Sequence, residues 1–272
     1  MTCRTVPASS NTGTTTDSFS TADMLEPGFY TTLRGRSMPS PSDPEYGLAT
    51  RDELGAYFDW VVGLFGEALA GKVLDHGAGT GILSQRLLAR ATRVVALEPD
   101  AAQFERLRQR FATCSQVTAV NGDIVTYLEE YGAGSLDAAV SSNVLEHLPN
   151  DVTCLRQLHQ ALRPGGALAV FVPARAELFG SLDESVGHRR RYTRSSLQIR
   201  LEEAGFFVEW VRYGNLAGVL PWLISGRVLK QSAIQAPSLR VFDRWVLPVA
   251  SRVEGWLRLP YGLNVAALAR RQ

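Results

Sequence analysis

The 272-residue chain has little cysteine, little lysine, no excess of charge of one sign and no long apolar run. Its three cysteines show no CxxC spacing and are too few for a disulfide framework, which fits a reducing cytoplasm. No apolar run approaches the ~18 residues that a membrane-spanning helix needs, and the polar N-terminus has no apolar signal core. These absences exclude a disulfide-stabilised scaffold and predict a cytoplasmic protein without stable membrane insertion.

The charged residues nearly balance, with 28 basic against 27 acidic side chains and a formal net charge of +1. A chain without a global field of one sign can bind nucleic acid or a membrane only through local patches. No basic region with interleaved aromatic residues is visible, so we expect a small-molecule partner and no nucleic acid. Apart from Lys72 and Lys230, every basic residue is arginine, which suits oriented contacts with carboxylates and phosphates.

Residues 1–48 differ from the rest of the chain in composition, since Ser, Thr, Pro and Gly supply 25 of them. Such a segment cannot bury enough apolar surface to offset the entropy that is lost on ordering. We therefore predict a flexible N-terminal arm over residues 1–48, either loosely packed or forming a partial lid over a pocket. One folded domain is predicted to follow over residues 49–272.

From about residue 50 onwards, apolar strand patterns alternate with amphipathic helix patterns. Strands are predicted at residues 72–75, 93–98, 116–120, 136–142, 167–172, 206–213 and 262–269. Helices are predicted at residues 54–69, 82–91, 100–111, 151–162 and 195–204. This alternation indicates an α/β fold, in which helices cover both faces of a mostly parallel sheet.

A helical insert is predicted at residues 214–260, before the last strand. The spacing of apolar residues defines one helical face, made of Leu239, Phe242, Val246, Val249, Val253 and Trp256. Three interpretations of this face stay open: a helix packed on the core, a lid or apolar wall of the substrate site, and a contact with a membrane surface. The last depends on flanking arginines, namely Arg240, Arg244, Arg252 and Arg258. Pro248 is expected to kink or split the helix.

The most informative segment is VLDHGAGTG at residues 73–81, where an apolar strand ends in an acid and a glycine-rich turn precedes a helix. Glycines in this turn let the backbone approach a ligand closely, at the edge of the sheet where open α/β folds bind ligands. The third glycine comes one residue too early for the GxGxxG dinucleotide fingerprint, because Ile82 stands there. Asp75 repels a pyrophosphate but suits a cationic amine, so the loop favours a ligand with an amino-acid end.

Two more acids follow the next two predicted strands. Glu98, with Pro99 beside it, ends the second strand, where a carboxylate can accept hydrogen bonds from both hydroxyls of a ribose. Asp123 follows the third strand, where it can accept from an exocyclic adenine amine while Ile124 packs against the ring. The ordered series of Asp75, the glycine loop, Glu98 and Asp123 is the strongest functional signal in the sequence.

These motifs resemble those of the class I S-adenosylmethionine-dependent methyltransferases, and most of all the small-molecule branch with quinone, sugar and natural-product enzymes. The matching segments are VLDHGAGTG, VVALEPD (94–100), NGD (121–123), LDAAVSSNVLEHLPN (136–150) and LRPGGALAVFVP (162–173). The likeness covers residues 50–213 and 262–270. It implies a Rossmann-like three-layer sandwich with a seven-stranded, mostly parallel sheet and an antiparallel last strand.

The same resemblance implies S-adenosylmethionine as cofactor, with S-adenosylhomocysteine as its product. By position, the methionine part is assigned to Asp75, Gly77, Ala78, Gly79 and Gly81, the ribose to Glu98 and Pro99, the adenine to Asp123 and Ile124, and the region of the transferred methyl group to Asn143. Methyl transfer is an in-line displacement, so the protein must align the nucleophile and, for a hydroxyl acceptor, take up a proton.

His188 and His147 are the candidate catalytic residues, because each follows a predicted strand on the acceptor side of the site. His188 is preferred as general base or acceptor ligand, whereas packing against the cofactor is the alternative for His147. Arg191 and Tyr192 are expected to bind the acceptor. The alternative is that the arginines of this segment pair with nearby acids, namely Asp183, Glu184 and Glu202. No metal is expected, since the carboxylate cluster of catechol-type enzymes has no counterpart in the sequence. The alternative is a metal held by the two histidines and nearby acids.

The segment GHRRRYT (187–193), followed by SLQIRLEEAGF, resembles a stretch that recurs in methyltransferases found with glycan and glycolipid genes. The sequence therefore predicts a small-molecule methyltransferase, monomeric or homodimeric, that acts on a hydroxyl of a sugar, glycolipid or natural product. The alternatives are a quinone or phenol methyltransferase, an N-methyltransferase, an NAD-dependent oxidoreductase and a non-enzymatic cofactor-binding protein.

Overall fold

The structure of the protein is a computed structural model, which describes residues 54–234, 236–256 and 259–272. The predicted arm at residues 1–48 lies outside the described residues. Within them, seven strands form one sheet in the order β3-β2-β1-β4-β5-β7-β6. The strands are β1 (Gly71–His76), β2 (Ala91–Glu98), β3 (Val117–Asn121), β4 (Leu136–Ser142), β5 (Leu162–Pro173), β6 (Phe206–Gly214) and β7 (Asn264–Arg271).

Helices connect these strands and cover both faces of the sheet. They are α1 (Gly55–Phe65), α2 (Ile82–Leu87), α3 (Ala101–Arg110), α4 (Ile124–Tyr131), α5 (Asp151–Ala161), α6 (Ser181–Ser185), α7 (Arg194–Glu203), α8 (Val219–Leu223), α9 (Ala236–Val241) and α10 (Leu247–Trp256). Two π-helical turns, Ile224–Val228 and Phe242–Val246, extend the helices of the insert. In the described ranges, no helix is both long and apolar enough to cross a bilayer.

Neighbouring strands are parallel except where β7 is involved, since β7 runs antiparallel between β5 and β6. The strand order reverses at β1, because β2 and β3 lie on one side of it while β4 and β5 lie on the other. The predicted fold is confirmed: a mostly parallel sheet between helical layers, with an antiparallel last strand and a helical insert before that strand.

Alternating side chains along the central strands form the two halves of the core. On β1, Val73 packs with α1 and α2, whereas Leu74 packs in the larger half with α4, α5 and α7. Successive residues of a strand point to opposite faces, so a strand that is covered on both sides must be apolar throughout. This requirement explains why the buried run at residues 94–97 is recognisable as a strand from its sequence.

Before the insert, the sequence prediction lacks the short helix α6 and the helix α4. The first turn of α4 is capped by Asp123, whose carboxylate accepts from the backbone N–H groups of Val125 (2.9 Å) and Thr126 (3.1 Å). Aspartate is favoured at this position because it satisfies N–H groups that have no partner within the helix. Ile124 and Tyr127 are buried on the inner face of α4. A capping acid before an apolar pattern is the signal that identifies such a helix.

The helical insert does not pack on the core through the apolar face that the spacing indicates. On that face Val246, Val249 and Val253 are exposed by 40%, 61% and 54%. The buried side chains of the same helical stretch are instead Asp243 and Leu247. The stretch thus contacts the helix α1 with another side, while these valines of the predicted face are exposed.

Two inward-facing acids set the orientation of this stretch. The carboxylate of Asp243 accepts from the N–H groups of Ala56 (3.1 Å) and Tyr57 (2.8 Å), at the N-terminus of α1. Glu254 accepts from the N–H of Asn215 at 2.8 Å, directly after β6. The first N–H groups of a helix lack partners within it and favour negative charge. The acids, rather than the apolar stripe, therefore face the body of the protein.

A matched pair of glycine substitutions tests the packing of the loop after β1. Gly81 and Gly132 both have left-handed backbones, with φ of 86° and 76°. A Cβ at Gly81 would lie 2.5 Å from the Phe111 ring and 2.6 Å from Leu107 Cδ1, whereas the space around Gly132 is open. We expect Gly81→Ala to lower the free energy of unfolding by about 2–4 kcal/mol and Gly132→Ala by about 1 kcal/mol, in urea denaturation. Equal losses would contradict the packing described for Gly81.

Candidate active site

A cavity of about 960 Å³ lies at the carboxyl ends of β1 and β4, where the strand order reverses. The glycine loop and the residues after β4 form one wall, the loop after β5 forms a second, and the insert forms a third. From these walls Gly79, Asn143, His188, Arg191 and Trp222 line the cavity. Open parallel sheets bind ligands at this edge, so the cavity is the candidate active site.

The three glycines of the loop after β1 have different surroundings. Gly77, Gly79 and Gly81 all have positive φ. A Cβ at Gly77 would meet Val144 Cγ2 at 2.5 Å, and one at Gly81 would enter the core as described above. At Gly79 the nearest atom would be the flexible end of Gln103, at 3.2 Å. Gly79 is therefore the loop position at which a missing side chain leaves room for a ligand.

Asp75 lies on β1 directly before the glycine loop and lines the cavity, as does Ala78. Its side chain is almost fully buried, and burial raises its pKa to about 6 despite a 2.6 Å hydrogen bond from the Ser84 hydroxyl. A cationic group bound in the cavity would offset the cost of ionising this buried carboxylate. The position of Asp75 is compatible with the predicted role at the amino-acid end of a ligand.

Glu98 joins the glycine loop to the start of α3. Its Oε2 accepts from the N–H of Gly79 at 2.7 Å, and its Oε1 accepts from the N–H of Asp100 at 2.9 Å. Burial raises the pKa of Glu98 to about 7, although these two N–H groups oppose the shift. The described walls of the cavity do not include Glu98 or Pro99. Their roles at a ribose stay predictions.

Asp123 and Ile124 lie at the start of α4, outside the described walls of the cavity. The carboxylate of Asp123 caps α4, and the side chain of Ile124 is buried in the core. The structure thus shows a structural use for each residue, and their contacts with an adenine stay predictions.

Asn143 follows β4 directly and lines the cavity, and its place beside a transferred methyl group stays a prediction. Its backbone is left-handed, with φ of 54°, and its N–H donates to the carbonyl of Phe171 at 2.8 Å. Asparagine adopts this conformation more readily than most residues with a side chain. Asn143 therefore stands between the glycine loop and the loop after β5.

His188 lines the cavity and contacts two buried carboxylates. Its Nδ1 lies 2.8 Å from Asp183 Oδ1, and its Nε2 lies 3.7 Å from Glu146 Oε1. Burial would raise the pKa of Asp183, but the hydrogen bond from His188 and the charge of Arg191 outweigh that effect and hold it below its ordinary value. Asp183 is therefore a carboxylate and can only accept. In the neutral imidazole, Nδ1 then carries the hydrogen and Nε2 carries the lone pair, 3.7 Å from Glu146 Oε1.

His147 packs edge-to-face against His188, with ring centroids 4.8 Å apart. Together with Glu146, the two histidines offer ligand atoms that lie within 4.8 Å of one another. One carboxylate and two imidazoles suit a cation such as Zn²⁺ or Mn²⁺. The sequence indicates the two histidines but not Glu146 as their neighbour, because His188 comes from the loop after β5 and the other two residues come from the turn after β4.

Arg191 and Tyr192, both expected to bind the acceptor, point to different places. Arg191 lines the cavity, donates to the carbonyl of Ala174 at 2.9 Å, and holds its guanidinium 4.9 Å from the centre of a Trp222 ring. Tyr192 is buried in the core, and its hydroxyl donates to Asp151 at 2.7 Å. Tyr192 does not reach the cavity, so its position corrects the expectation of an acceptor contact.

The alternative role of the arginines, pairing with acids, also occurs. Arg191 pairs with Asp183 at 2.8 Å, one of the partners that the sequence suggests. Arg190 pairs with Asp151 at 3.0 Å, which the sequence does not suggest. Arg191 therefore combines both roles, since it orders the loop after β5 and still faces the cavity.

Two asparagines complete the cavity although no sequence signal identifies them. Asn215 and Asn264 are both buried, and the amide of Asn215 donates to the side-chain oxygen of Asn264 at 3.1 Å. Asn215 directly follows β6, and Asn264 is the first residue of β7. The antiparallel pairing of β6 with β7 brings Asn215 and Asn264 together at the cavity.

A family model for a methyltransferase domain matches residues 74–168. An uncharacterized methyltransferase of Mycobacterium tuberculosis is 38% identical over 98 residues, which are 36% of this chain and 48% of that protein. The ubiquinone biosynthesis O-methyltransferase of Vibrio parahaemolyticus is 30% identical over 105 residues, 38% of this chain and 43% of that protein. Residues 74–168 thus match a methyltransferase domain, and the relatives that resemble this chain include a probable S-adenosylmethionine-dependent methyltransferase. The chain spans about half the length of the curated relatives that it matches.

The solved structure of the cyclase SpnF is similar to this chain, with a TM-score of 0.54 and 18% identity over 80% of each chain. At this identity the likeness shows the fold alone, and a fold does not fix a reaction. The cofactor of the family is S-adenosylmethionine, and two features of the cavity fit it. Gly79 leaves the space that a side chain would fill, and Asp75 offers a buried carboxylate to an ammonium group.

A side chain introduced at Gly79 would fill the space proposed for the cofactor, so we predict that it prevents cofactor binding. We expect Gly79→Arg to abolish binding of S-adenosylhomocysteine in calorimetry, because the side chain would enter the cavity. Gly134→Arg is the matched control, since Gly134 also has positive φ and open surroundings but lies between α4 and β4. Unchanged affinity in Gly79→Arg would refute the assignment of the loop.

The buried carboxylates make the stability of the cofactor-free protein depend on pH. The folded pKa values, about 6 for Asp75 and about 7 for Glu98, lie above the ordinary 3.8 and 4.5. Each group thus contributes stability that is fully present below about pH 4 and is lost as the pH rises through 6 to 7. We expect Asp75→Asn to reduce that loss by about 2–3 kcal/mol, measured by urea denaturation across this range.

The control for this measurement is Glu129→Gln, on the exposed side of α4. It should leave the dependence of the unfolding free energy on pH as in the wild type. If Asp75→Asn also keeps the wild-type dependence, burial does not penalise ionisation of Asp75 as described.

Proposed function

We propose that the protein is an O-methyltransferase, which transfers the methyl group of S-adenosylmethionine to a hydroxyl of a sugar or glycolipid. The observation that carries this proposal is His188, which is paired with the buried Asp183 and lines the same cavity as the glycine loop. One cavity thus combines room for the family cofactor with a base for a hydroxyl acceptor.

When bound, S-adenosylmethionine supplies a methyl group on a positively charged sulfur, which already activates it for displacement. The chain has to bind the amino-acid end, for which Asp75 and Gly79 are the proposed residues. It also has to hold the acceptor oxygen in line with the methyl group, since alignment alone contributes ~7–11 kcal/mol. Asn143 is proposed to lie beside the reacting groups.

His188 is the proposed general base. Because Asp183 accepts the hydrogen of Nδ1, the lone pair of Nε2 takes the proton of the acceptor hydroxyl. The bound cofactor would supply the methyl group to the acceptor oxygen and would keep the C–S electron pair on its sulfur, while Nε2 of His188 would take up the hydroxyl proton. Asp183 and Glu146, at 2.8 and 3.7 Å, then stabilise the positive charge on the ring.

The walls around the acceptor side combine polar and apolar groups. Arg191 is proposed to bind a polar or anionic group of the acceptor, while Trp222, Phe242 and Val246 supply an apolar wall. The likeness of GHRRRYT to a stretch of glycan-associated methyltransferases supports a sugar hydroxyl. The Vibrio parahaemolyticus relative, by its name an O-methyltransferase of ubiquinone biosynthesis, favours oxygen as the target and makes a quinone or phenol the second candidate.

Binding calorimetry separates this proposal from the oxidoreductase alternative. We expect S-adenosylhomocysteine to bind and NAD to give no heat, because Asp75 faces the cavity where a pyrophosphate would have to lie. Tight binding of NAD without binding of S-adenosylhomocysteine would overturn the proposal. A panel of sugars, glycolipids and phenols, assayed with isotopically labelled S-adenosylmethionine, then identifies the acceptor class.

With an acceptor from that panel, we expect His188→Ala to lower kcat by at least ~100-fold, while S-adenosylhomocysteine affinity stays unchanged. Asp183→Asn should also lower kcat, because an amide no longer fixes the hydrogen on Nδ1 of His188. His159→Ala is the control, since His159 packs against Phe206 rather than lining the cavity. Full activity of His188→Ala would remove His188 as the base.

A further inference from the structure

Exposed apolar side chains are concentrated in the helical insert. Among the described residues, thirteen large hydrophobic side chains are exposed, and ten of them lie between residues 214 and 260. Their exposed fractions range from 40% to 69%. Single exposed apolar residues are ordinary, but a concentration of this kind in one segment indicates a surface that binds something.

These side chains form two stripes. The first contains Leu220, Ile224 and Val228, and the second contains Val241, Trp245, Val249 and Val253. Within each stripe the residues are four positions apart, so they lie on one side of their helix. The acids Asp243 and Glu254 point the other way, as described above. The insert is therefore amphipathic with its apolar sides turned outward.

The charges beside the stripes are all positive. The exposed basic residues of the insert are Arg227, Lys230, Arg240, Arg244 and Arg252. Its two acids, Asp243 and Glu254, are directed inward and bonded to backbone N–H groups. A positive, apolar surface with an exposed tryptophan is typical of helices that lie in a membrane interface. A second copy of the chain would bring the same positive charges face to face.

We propose that the insert lies on the surface of an anionic phospholipid bilayer. The two apolar stripes would enter the boundary between headgroups and acyl chains, where Trp245 is favoured. The arginines and Lys230 would contact the lipid phosphates. The lipid charge complements the outward charge of the insert, which selects a bilayer over another copy of the chain.

The same insert also borders the candidate active site. Leu229 and Val246 are exposed and line the cavity as well, so the cavity opens beside the apolar stripes. An amphiphilic acceptor held in the bilayer would thus have its polar end next to this opening. This consequence for the acceptor depends on the proposed methyltransferase function, whereas the binding of the bilayer does not.

The experiment is co-sedimentation of the purified full chain with vesicles of phosphatidylcholine alone or mixed with phosphatidylglycerol. We expect binding to the mixed vesicles, weaker binding to phosphatidylcholine, and a decrease with added salt. The double variant Trp245→Glu/Val249→Glu should bind the mixed vesicles at least tenfold more weakly. Ile199→Glu is the matched control, since Ile199 is an exposed apolar residue of α7, outside the insert.

Three outcomes would overturn the proposal. They are a lack of binding by the wild type, unchanged binding of the double variant, and an equal loss in Ile199→Glu. A lipid-free dimer that the double variant abolishes would instead make this face an interface between copies. Neither Trp245 nor Val249 lines the cavity, so S-adenosylhomocysteine affinity and methyl transfer to a water-soluble acceptor should be unchanged. Failure of methyl transfer with vesicle binding intact would refute only the proposed function.

Discussion

The acceptor side of the cavity depends on one buried carboxylate, that of Asp183. Three donors converge on it, namely the N–H of Gly180 (3.0 Å), Nδ1 of His188 (2.8 Å) and Nε of Arg191 (2.8 Å). A buried charge is tolerated only when it is paired and hydrogen-bonded, so the loss of one contact weakens the others. Since Arg191 also donates to the carbonyl of Ala174, next to β5, the loop is fixed to the sheet as well.

The cofactor side has the opposite electrostatic character. Burial raises the pKa of Asp75 to about 6 and that of Glu98 to about 7, because their hydrogen bonds offset only part of the cost of desolvation. At Asp183, by contrast, His188 and Arg191 outweigh burial and lower the pKa. On the acceptor side the charge of Asp183 is thus stabilised by the protein itself. On the cofactor side the carboxylates gain stability only when a cationic group binds. Proteins commonly give up stability in this way at binding sites.

The fold could be predicted from the sequence because its signals are local, as the buried run at residues 94–97 illustrates. Contacts between distant segments were not predictable. The orientation of the insert depends on Asp243, whose partners at the start of α1 lie far away in the chain. The spacing of the valines in the insert defines an apolar stripe, but it does not show whether the stripe faces the core or the solvent. For the same reason the placement of Tyr192 in the core and of Glu146 beside His188 required the structure.

The position of β7 constrains the order in which the sheet can be completed during synthesis. It follows β6 in the chain, yet it lies between β5 and β6, and β6 pairs with β7 alone. Until residues 264–271 have left the ribosome, β5 keeps an open edge and β6 has no strand to join. Open edges invite pairing with other chains. The insert, which is translated between β6 and β7, therefore prolongs the period in which the nascent protein is prone to aggregation.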